Sequence, residues 1–199
     1  MIIDCRSSTN GRMLTVFCDD EPWREIHPSI FGRRPSFPKE VETGEWERLF
    51  AGLEYRSAKN YAVRRLSAHS LPSASLARSL RQRLVSENTI VRIVDEFSSQ
   101  GYLNDRDWAA SFARVQSARK VGPKAIAMKL AGKGIDKEYA AAALESFSNE
   151  DKQKESIMLL LNTKYKKRDL SDFKEKQKVV ASLIRRGFDY ELVLAQLNS

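Results

Sequence analysis

A seven-residue pattern recurs along this chain at intervals of about 50 residues, and it restricts the fold more than any other feature. Residues 130–136 read LAGKGID and residues 183–189 read LIRRGFD. Residues 80–86 (LRQRLVS) are a weaker copy, in which Leu84 replaces the glycine and Ser86 the aspartate. In a helical chain the leucine anchors one helix, the glycine ends it in a left-handed conformation, and the Asp or Ser caps the next helix. This recurrence predicts tandem helical repeats that stack on one another.

Apolar residues at steps of three and four predict three helices in each copy of the repeat. In the first copy Ile90 and Phe97 belong to such a stripe, and Gly101 is placed to end that helix. In the second copy Pro123 suits the first turn of a helix, and Asp136 can cap the next one. We therefore expect a mainly α-helical fold, with three-helix repeats at residues 57–100, 101–148 and 149–199.

The first 56 residues have a different character. Residues 12–27 contain two stretches suited to β-strands, separated by the turn sequence DDEP. Several prolines between residues 28 and 38 then interrupt regular structure, and a helical pattern follows at residues 45–55. We expect residues 1–56 to form a small N-terminal extension with a possible β-hairpin and a linker.

Charge is distributed unevenly between these two parts of the chain. Residues 1–56 carry 8 basic and 10 acidic side chains, whereas residues 57–199 carry 26 basic and 16 acidic ones, a net charge of +10. A region of that charge favours polyanionic partners such as nucleic acid or a nucleoprotein. The same excess is also compatible with a helical surface that is merely well solvated.

The sequence shows no constellation for catalysis, metal binding or membrane insertion. Cys5 and Cys18 are too few for a disulfide framework or a four-cysteine zinc site. His27 and His69 have no partners at metal-ligand spacing, and no Gly-rich phosphate-binding motif is present. No apolar run approaches the roughly 18 residues of a membrane span, and no secretory leader is visible. We expect a cytoplasmic protein that is not an enzyme and that has reduced thiols, no cofactor, no metal and no membrane partner.

The second repeat carries a resemblance to a known family. The residues that carry it are residues 101–105 (GYLND), Trp108, Phe112, the pair Gly122-Pro123 and residues 133–135 (KGI). In these motifs, and in the closing LIRRGFDY, the chain resembles the RecX family, bacterial regulators of the RecA recombinase. The resemblance covers roughly residues 57–199 and departs at Leu84, where the family usually has glycine.

The resemblance implies an elongated, curved array of three three-helix repeats. It also implies binding along the groove of the RecA–DNA filament, with inhibition of strand exchange, ATP hydrolysis and co-protease action. Such a protein acts in DNA repair, DNA recombination and the SOS response. We expect a monomer whose partners are the RecA filament and single-stranded or double-stranded DNA.

Basic side chains occur in and around the second helix of each repeat, and they are the candidate contact residues for a filament or DNA. Residues three or four apart share one face of a helix, so a basic second helix in every repeat would form a positive stripe. The candidates are Arg64, Arg65, Arg78, Arg81, Arg83, Lys124, Lys129, Lys133, Lys174, Lys178, Arg185 and Arg186.

The residues themselves leave two other hypotheses open. The first is a helical nucleic-acid-binding module with no RecA-specific role, which needs only the positive charge of residues 57–199. The second is a protein-interaction scaffold whose basic faces only keep it soluble.

Overall fold

The structure is a computed structural model that describes residues 1–8 and 11–198. The chain divides into two compact units, Met1–Asn104 and Asp105–Ser199. The described residues form three strands and ten helices: β1 (Ile3–Ser7), β2 (Leu14–Cys18), β3 (Glu21–Ile26), α1 (Pro28–Phe31), α2 (Trp46–Ala68), α3 (Ser73–Arg81), α4 (Glu87–Ser99), α5 (Asp105–Ala118), α6 (Pro123–Gly132), α7 (Lys137–Leu144), α8 (Glu150–Asn162), α9 (Phe173–Arg185) and α10 (Tyr190–Asn198).

The N-terminal extension is an antiparallel sheet with the strand order β1-β2-β3. Asp19 and Asp20 have φ values of 48° and 64°, as a two-residue turn between right-twisted antiparallel strands requires. The Asp19 carboxylate accepts the backbone N–H of Ile2 at 2.6 Å, so the turn also holds the start of the chain. The predicted hairpin is confirmed as β2 and β3, whereas β1 is an additional strand that the residue pattern did not indicate.

Helix α2 runs without a break past residue 56, the expected boundary between the extension and the first repeat. Its first turns supply Trp46 and Phe50 to a core shared with the sheet. There the ring of Trp23 meets the ring of Phe50 edge-on, with 4.9 Å between the centroids. Its later turns supply Tyr61 to the core of the first repeat. Helix α2, the first helix of the first repeat, therefore contributes side chains both to the core of that repeat and to the core shared with the sheet.

A buried carboxylate in α2 links the sheet to α4. Glu54 is 1% exposed and accepts hydrogen bonds from the Ser86 hydroxyl, from the Thr89 hydroxyl at 2.8 Å and from the Ser86 backbone N–H at 3.3 Å. Nη2 of Arg24 lies 3.2 Å from Oε1 of Glu54, an ion-pair distance without hydrogen-bond geometry. The Ser86 side chain makes no capping bond of its own, so Glu54 caps α4 from a neighbouring helix.

Each three-helix repeat encloses its own apolar core. Helices α2–α4, α5–α7 and α8–α10 pack around separate clusters of buried side chains. The shared leucine of the sequence pattern, which is Leu80, Leu130 or Leu183, is 0% exposed within its cluster. Burying a leucine stabilises a fold by about 1.5–3 kcal/mol, so the pattern marks a packing centre in each repeat. These observations confirm the predicted mainly α fold of three three-helix repeats with a small β-stranded extension.

The second helix of each repeat is followed by a residue in the left-handed conformation. Leu84, Gly134 and Gly187 have φ values of 58°, 79° and 89°. In each copy the next residue is apolar and buried, and it donates its backbone N–H to the carbonyl oxygen of the shared leucine, at 3.3, 3.1 and 3.3 Å. This is the hydrogen-bonding pattern of a helix that ends at a left-handed residue. Leu84 therefore makes the same turn as the two glycines, with a Cβ that disfavours it.

A tyrosine–serine contact reaches the second helix in both the first and the third repeat, with Tyr61 lying in α2 and Tyr165 in the connection after α8. Oη of Tyr61 lies 2.9 Å from Oγ of Ser79, and Oη of Tyr165 lies 2.7 Å from Oγ of Ser182. Each serine immediately precedes the shared leucine. The buried phenol oxygens thus find hydrogen-bonding partners at the edge of the apolar core, where an unpaired hydroxyl would be costly.

The second and third repeats lie in the same compact unit and meet at two glycines. Gly122 donates its backbone N–H to the carbonyl of Arg186 at 2.7 Å, and Lys124 donates its backbone N–H to the carbonyl of Gly187 at 3.1 Å. A Cβ at Gly122 would lie under 3.0 Å from the backbone of Gly187, and a Cβ at Gly187 would lie under 3.0 Å from Ala125. Glycine at both positions is therefore required for this backbone contact.

The variant Leu84→Gly should be more stable than Leu84→Ala by about 1 kcal/mol. Both substitutions remove the same partly exposed side chain, and only alanine keeps the strained Cβ. Urea unfolding followed by circular dichroism measures the difference. Equal stability of the two variants would contradict the steric account of this turn.

The substitution Gly187→Ala should lower the free energy of unfolding by at least about 3 kcal/mol. The new Cβ would have to displace the backbone of Ala125 while φ stays at 89°. Gly132→Ala is the matched control, because a Cβ there meets nothing within 4 Å, and it should be neutral or slightly stabilising. Thermal unfolding of the two variants tests this, and similar melting temperatures would show that the glycine contact is dispensable.

Candidate basic binding surface

Six of the twelve candidate cations are exposed, with no side-chain hydrogen bond or ion pair in the part of the chain that the structure describes. Such side chains keep their full charge available to a ligand, because nothing in the fold neutralises them. They are distributed over all three repeats, at the end of α2, on α3, after α6 and on α9. The six are Arg64, Arg65, Arg78, Lys133, Lys174 and Arg185.

Arg81 and Lys178 are exposed but paired with acidic residues. Nε of Arg81 lies 2.5 Å from Oε1 of Glu87, and Nη2 lies 2.7 Å from Oε2. Nζ of Lys178 lies 2.8 Å from Oε1 of Glu175, which Arg168 also contacts at 2.7 Å. These hydrogen bonds lower the pKa of both carboxyls, with Lys178 the largest influence on the pKa of Glu175 and Arg168 the next. Exposed pairs of this kind contribute little to stability, so an anionic ligand can compete for their cations.

Lys124 and Lys129 of the second repeat have partners inside the fold. Nζ of Lys124 lies 2.5 Å from Oδ2 of Asp189, the residue that caps α10 by accepting the backbone N–H of Glu191. The Lys124 hydrogen bond, followed by that of Glu191, lowers the pKa of the Asp189 carboxyl. Nζ of Lys129 donates a hydrogen bond to Oε1 of Gln116 at 2.7 Å. Lys129 immediately precedes the shared leucine, a position that is serine in the other two repeats. Both lysines therefore connect structural elements.

Arg83 and Arg186 are half-buried and hydrogen-bond to their surroundings. Nη1 of Arg83 donates to the carbonyl of Ser79 at 2.8 Å and to its hydroxyl at 3.1 Å, and the guanidinium carbon lies 4.9 Å from the centre of the Tyr61 ring. Nη1 of Arg186 donates to the carbonyl of Lys120 at 3.3 Å. These two arginines contribute to packing more than to an open positive surface.

The basic positions differ from repeat to repeat. When the copies are aligned on the shared leucine, Arg83, Lys133 and Arg186 are the one set of candidate positions that is basic in all three. Two of these three side chains are half-buried, and Lys133 is exposed. The one candidate position that is basic in all three repeats therefore lies close to the repeated turn. The other exposed candidates occupy different positions in each repeat.

Helix α9 places three candidates on one face. Lys174, Lys178 and Arg185 follow one another at steps of four and seven residues, which keeps them on the same side of an α-helix. The neighbouring side carries Phe173 and Ile184, which are 70% and 37% exposed. The spacing of residues along the chain indicates that both are apolar positions of a helix, whereas their exposure depends on what neighbouring elements cover. The exposed apolar surface beside these cations was therefore not predicted from the sequence.

The part of the chain that the structure describes offers neither a cluster of metal ligands nor a membrane-spanning helix. Within residues 1–8 and 11–198, no three or more His, Cys, Asp or Glu side chains are grouped so that they could hold a metal ion. None of the helices described there is long and apolar enough to cross a membrane. Cys5 and Cys18 are free, and partial burial raises the pKa of each thiol.

Comparison with known proteins gives one family. Residues 104–144 match the second three-helix domain of RecX, and residues 151–196 match the third. Regulatory protein RecX of Bacillus subtilis (strain 168) is 26% identical over 191 residues, which cover 95% of this chain and 72% of that protein. Regulatory protein RecX of Neisseria meningitidis serogroup A is 32% identical over 143 residues, which cover 72% of this chain and 90% of that protein.

A solved structure agrees with the sequence relatives. A crystal structure of regulatory protein RecX superimposes with a TM-score of 0.66 and 19% sequence identity. The superposition covers 100% of this chain and 99% of that chain. At this level of identity the match shows a shared fold.

Arg83→Ala should lower the free energy of unfolding by about 1.5–3 kcal/mol, because it removes hydrogen bonds made by a charged group. Arg78→Ala removes an exposed arginine from the same repeat and should change that free energy by less than about 0.5 kcal/mol. Urea unfolding of the two variants measures both effects. If Arg83→Ala proved as stable as Arg78→Ala, the structural role assigned to Arg83 would be wrong.

Proposed function

This chain belongs to the RecX family, and on that premise we propose that it is a regulator that binds the RecA–DNA filament and lowers its recombinase, ATPase and co-protease activities. The observation that carries the proposal is the match, in sequence and in fold, to proteins named regulatory protein RecX. We further propose that it acts without catalysis of its own, as a cytoplasmic monomer, in DNA repair, DNA recombination and the SOS response.

The exposed cations support binding to a nucleoprotein. Residues 57–199 carry a net charge of +10, and each repeat presents exposed basic side chains without partners in the described structure. Lysines and arginines that neutralise phosphates release condensed counterions, which favours association with DNA. The same cations can meet acidic patches on the protein part of a filament.

The proposed domain organisation follows the repeats. We propose an extension at residues 1–56 and three units at residues 57–100, 101–148 and 149–199. Separate apolar cores and a recurring turn after each second helix support the three units. Because α2 contributes to both the sheet core and the first repeat, we propose that the extension and the first unit fold together.

The alternative is a helical nucleic-acid-binding module without a RecA-specific role. The net charge of residues 57–199 favours it, because non-specific DNA binding needs little beyond positive charge. This alternative predicts tight binding to bare DNA, with an affinity that falls steeply as the salt concentration rises, by about 0.9 log units per log unit of salt for each phosphate neutralised. Strong binding to the filament together with weak binding to bare DNA would exclude it.

The purified protein should lower ATP hydrolysis by RecA on single-stranded DNA, and it should also lower RecA-stimulated self-cleavage of a repressor. A coupled ATPase assay at stoichiometric ratios of the two proteins measures the first effect, and gel electrophoresis of the repressor measures the second. Unchanged activities at those ratios would overturn the proposed function.

Charge-reversal variants connect this effect to the exposed cations. The double variant Arg78→Glu with Lys133→Glu should raise the concentration for half-maximal ATPase inhibition at least tenfold. The control, Lys39→Glu with Arg48→Glu, makes the same change in net charge at exposed residues outside the candidate set, and it should stay within about twofold of the wild type. Equal effects of the two double variants would show that total charge matters and that these positions do not.

A further inference from the structure

An apolar groove of about 750 Å³ lies between α9 and α10 of the third repeat. Val180, Ile184 and Leu194 give it an aliphatic lining. Phe173 and Tyr190 line it from the two helices and are 70% and 51% exposed. Large apolar side chains grouped at a surface indicate contact with another molecule more often than isolated ones do.

Helix α9 is apolar on two of its sides. Val179 and Leu183 are 2% and 0% exposed in the core of the third repeat. Phe173, Val180 and Ile184 follow one another at steps of seven and four residues, and they form a second stripe that lines the groove. Val180 is partly buried and also packs against the core of the third repeat, whereas Phe173 and Ile184 are exposed and available to a partner.

Positive charge accompanies this groove. Lys176 and Arg185 are among its lining residues, and none of the described residues that line it is acidic. Lys174 and Lys178 lie on the same face of α9 as Arg185, beside the apolar stripe. Lys178 is paired with Glu175, whereas Lys174 and Arg185 have no partner in the described part of the chain. An occupant that complements the groove is therefore apolar on one side and negatively charged along its edge.

We propose that this groove docks an acidic amphipathic helix on the protein component of the filament, an inference that rests on the proposed function. From Phe173 to Ile184 the apolar stripe spans about 17 Å, or roughly three helical turns. That length accommodates partner side chains at positions i, i+4 and i+7, which is how helices occupy apolar grooves. Val180, Ile184 and Leu194 give the groove a wall that suits leucine-like side chains of a helix, and we assign it to protein recognition on that ground. Phe173 and Tyr190 are also side chains on which nucleic-acid bases stack, so single-stranded DNA is the competing occupant and bare DNA is one of the probes.

The test compares variants of the full chain that alter each side of the groove. Phe173→Ser with Ile184→Ser alters the α9 side, and Tyr190→Ser alters the α10 side. The control is Met158→Ser with Leu159→Ser, which removes side chains that are 51% and 44% exposed on α8 of the same repeat. Circular dichroism melting identifies any variant that loses its fold, and the two groove variants, made in different helices, provide independent evidence.

The probes are RecA filaments assembled on single-stranded DNA with a slowly hydrolysed ATP analogue, and the same DNA without RecA. Fluorescence anisotropy of the labelled chain gives both affinities. Each groove variant should bind filaments at least tenfold more weakly than the wild type and bind bare DNA within about twofold of it. The α8 control should match the wild type with both probes. Arg185→Glu should also weaken filament binding, because the proposed occupant is acidic.

Three results would overturn the groove assignment while leaving the proposed function intact. The first is wild-type filament affinity in both groove variants. The second is a parallel loss of affinity for bare DNA, which would make the groove a DNA site. The third is a wild-type dimer that the groove variants convert to monomers in analytical ultracentrifugation, because a second copy would then be the occupant. A wild-type chain that does not bind filaments would instead refute the proposed function, and the groove assignment with it.

Discussion

The backbone turn after the second helix is the constraint on which each repeat depends. One residue takes a left-handed conformation, and the next residue returns its apolar side chain to the core that already holds the shared leucine. The turn therefore fixes where the third helix begins relative to the second. Gly134 and Gly187 make this turn without steric cost, whereas Leu84 makes it against the preference of an L-residue with a Cβ. The first repeat keeps this turn although leucine disfavours it, because the buried residues before and after the turn, Leu80 and Val85, are held in the core.

Different interactions connect these repeats to their neighbours in the chain. The second and third repeats meet by direct backbone contact at Gly122 and Gly187, which leaves no room for a side chain at either position. The first repeat is connected to the N-terminal sheet through the buried Glu54 carboxylate and through the shared helix α2. A buried carboxylate needs several donors to offset its desolvation, and the Ser86 and Thr89 groups at the start of α4 supply them. Backbone packing thus connects the second repeat to the third, and a polar network connects the first repeat to the sheet.

Several basic residues form hydrogen bonds or ion pairs within the fold, so fewer of them are available to bind a partner. Arg83, Arg186 and Lys129 contribute hydrogen bonds within the fold, and Lys124 pairs with the cap of α10. What remains for binding is a smaller group of cations without partners among the described residues, and two of them, Lys174 and Arg185, lie on α9 with the exposed Phe173 and Ile184. A regulator that recognises a protein–DNA filament benefits from both kinds of surface, since charge steers the encounter and apolar contact strengthens the bound state.

Residue type and spacing were enough to establish the repeat, its helical class and its family. Leucine, glycine and the capping residues act through local backbone geometry and burial, so their spacing along the chain is enough to indicate them. Asp136 and Asp189 cap their helices as the pattern predicted, whereas the Ser86 side chain makes no capping bond. The packing of the elements shows which cations have no partner among the described residues and that Phe173 and Ile184 of α9 lie outside the core. The continuity of α2 past residue 56, the strand β1 and the glycine contact between repeats also emerged only there. The physical reason is that exposure, ion pairing and close approach depend on what a neighbouring element covers, whereas residue periodicity records only chemical type and spacing along one chain.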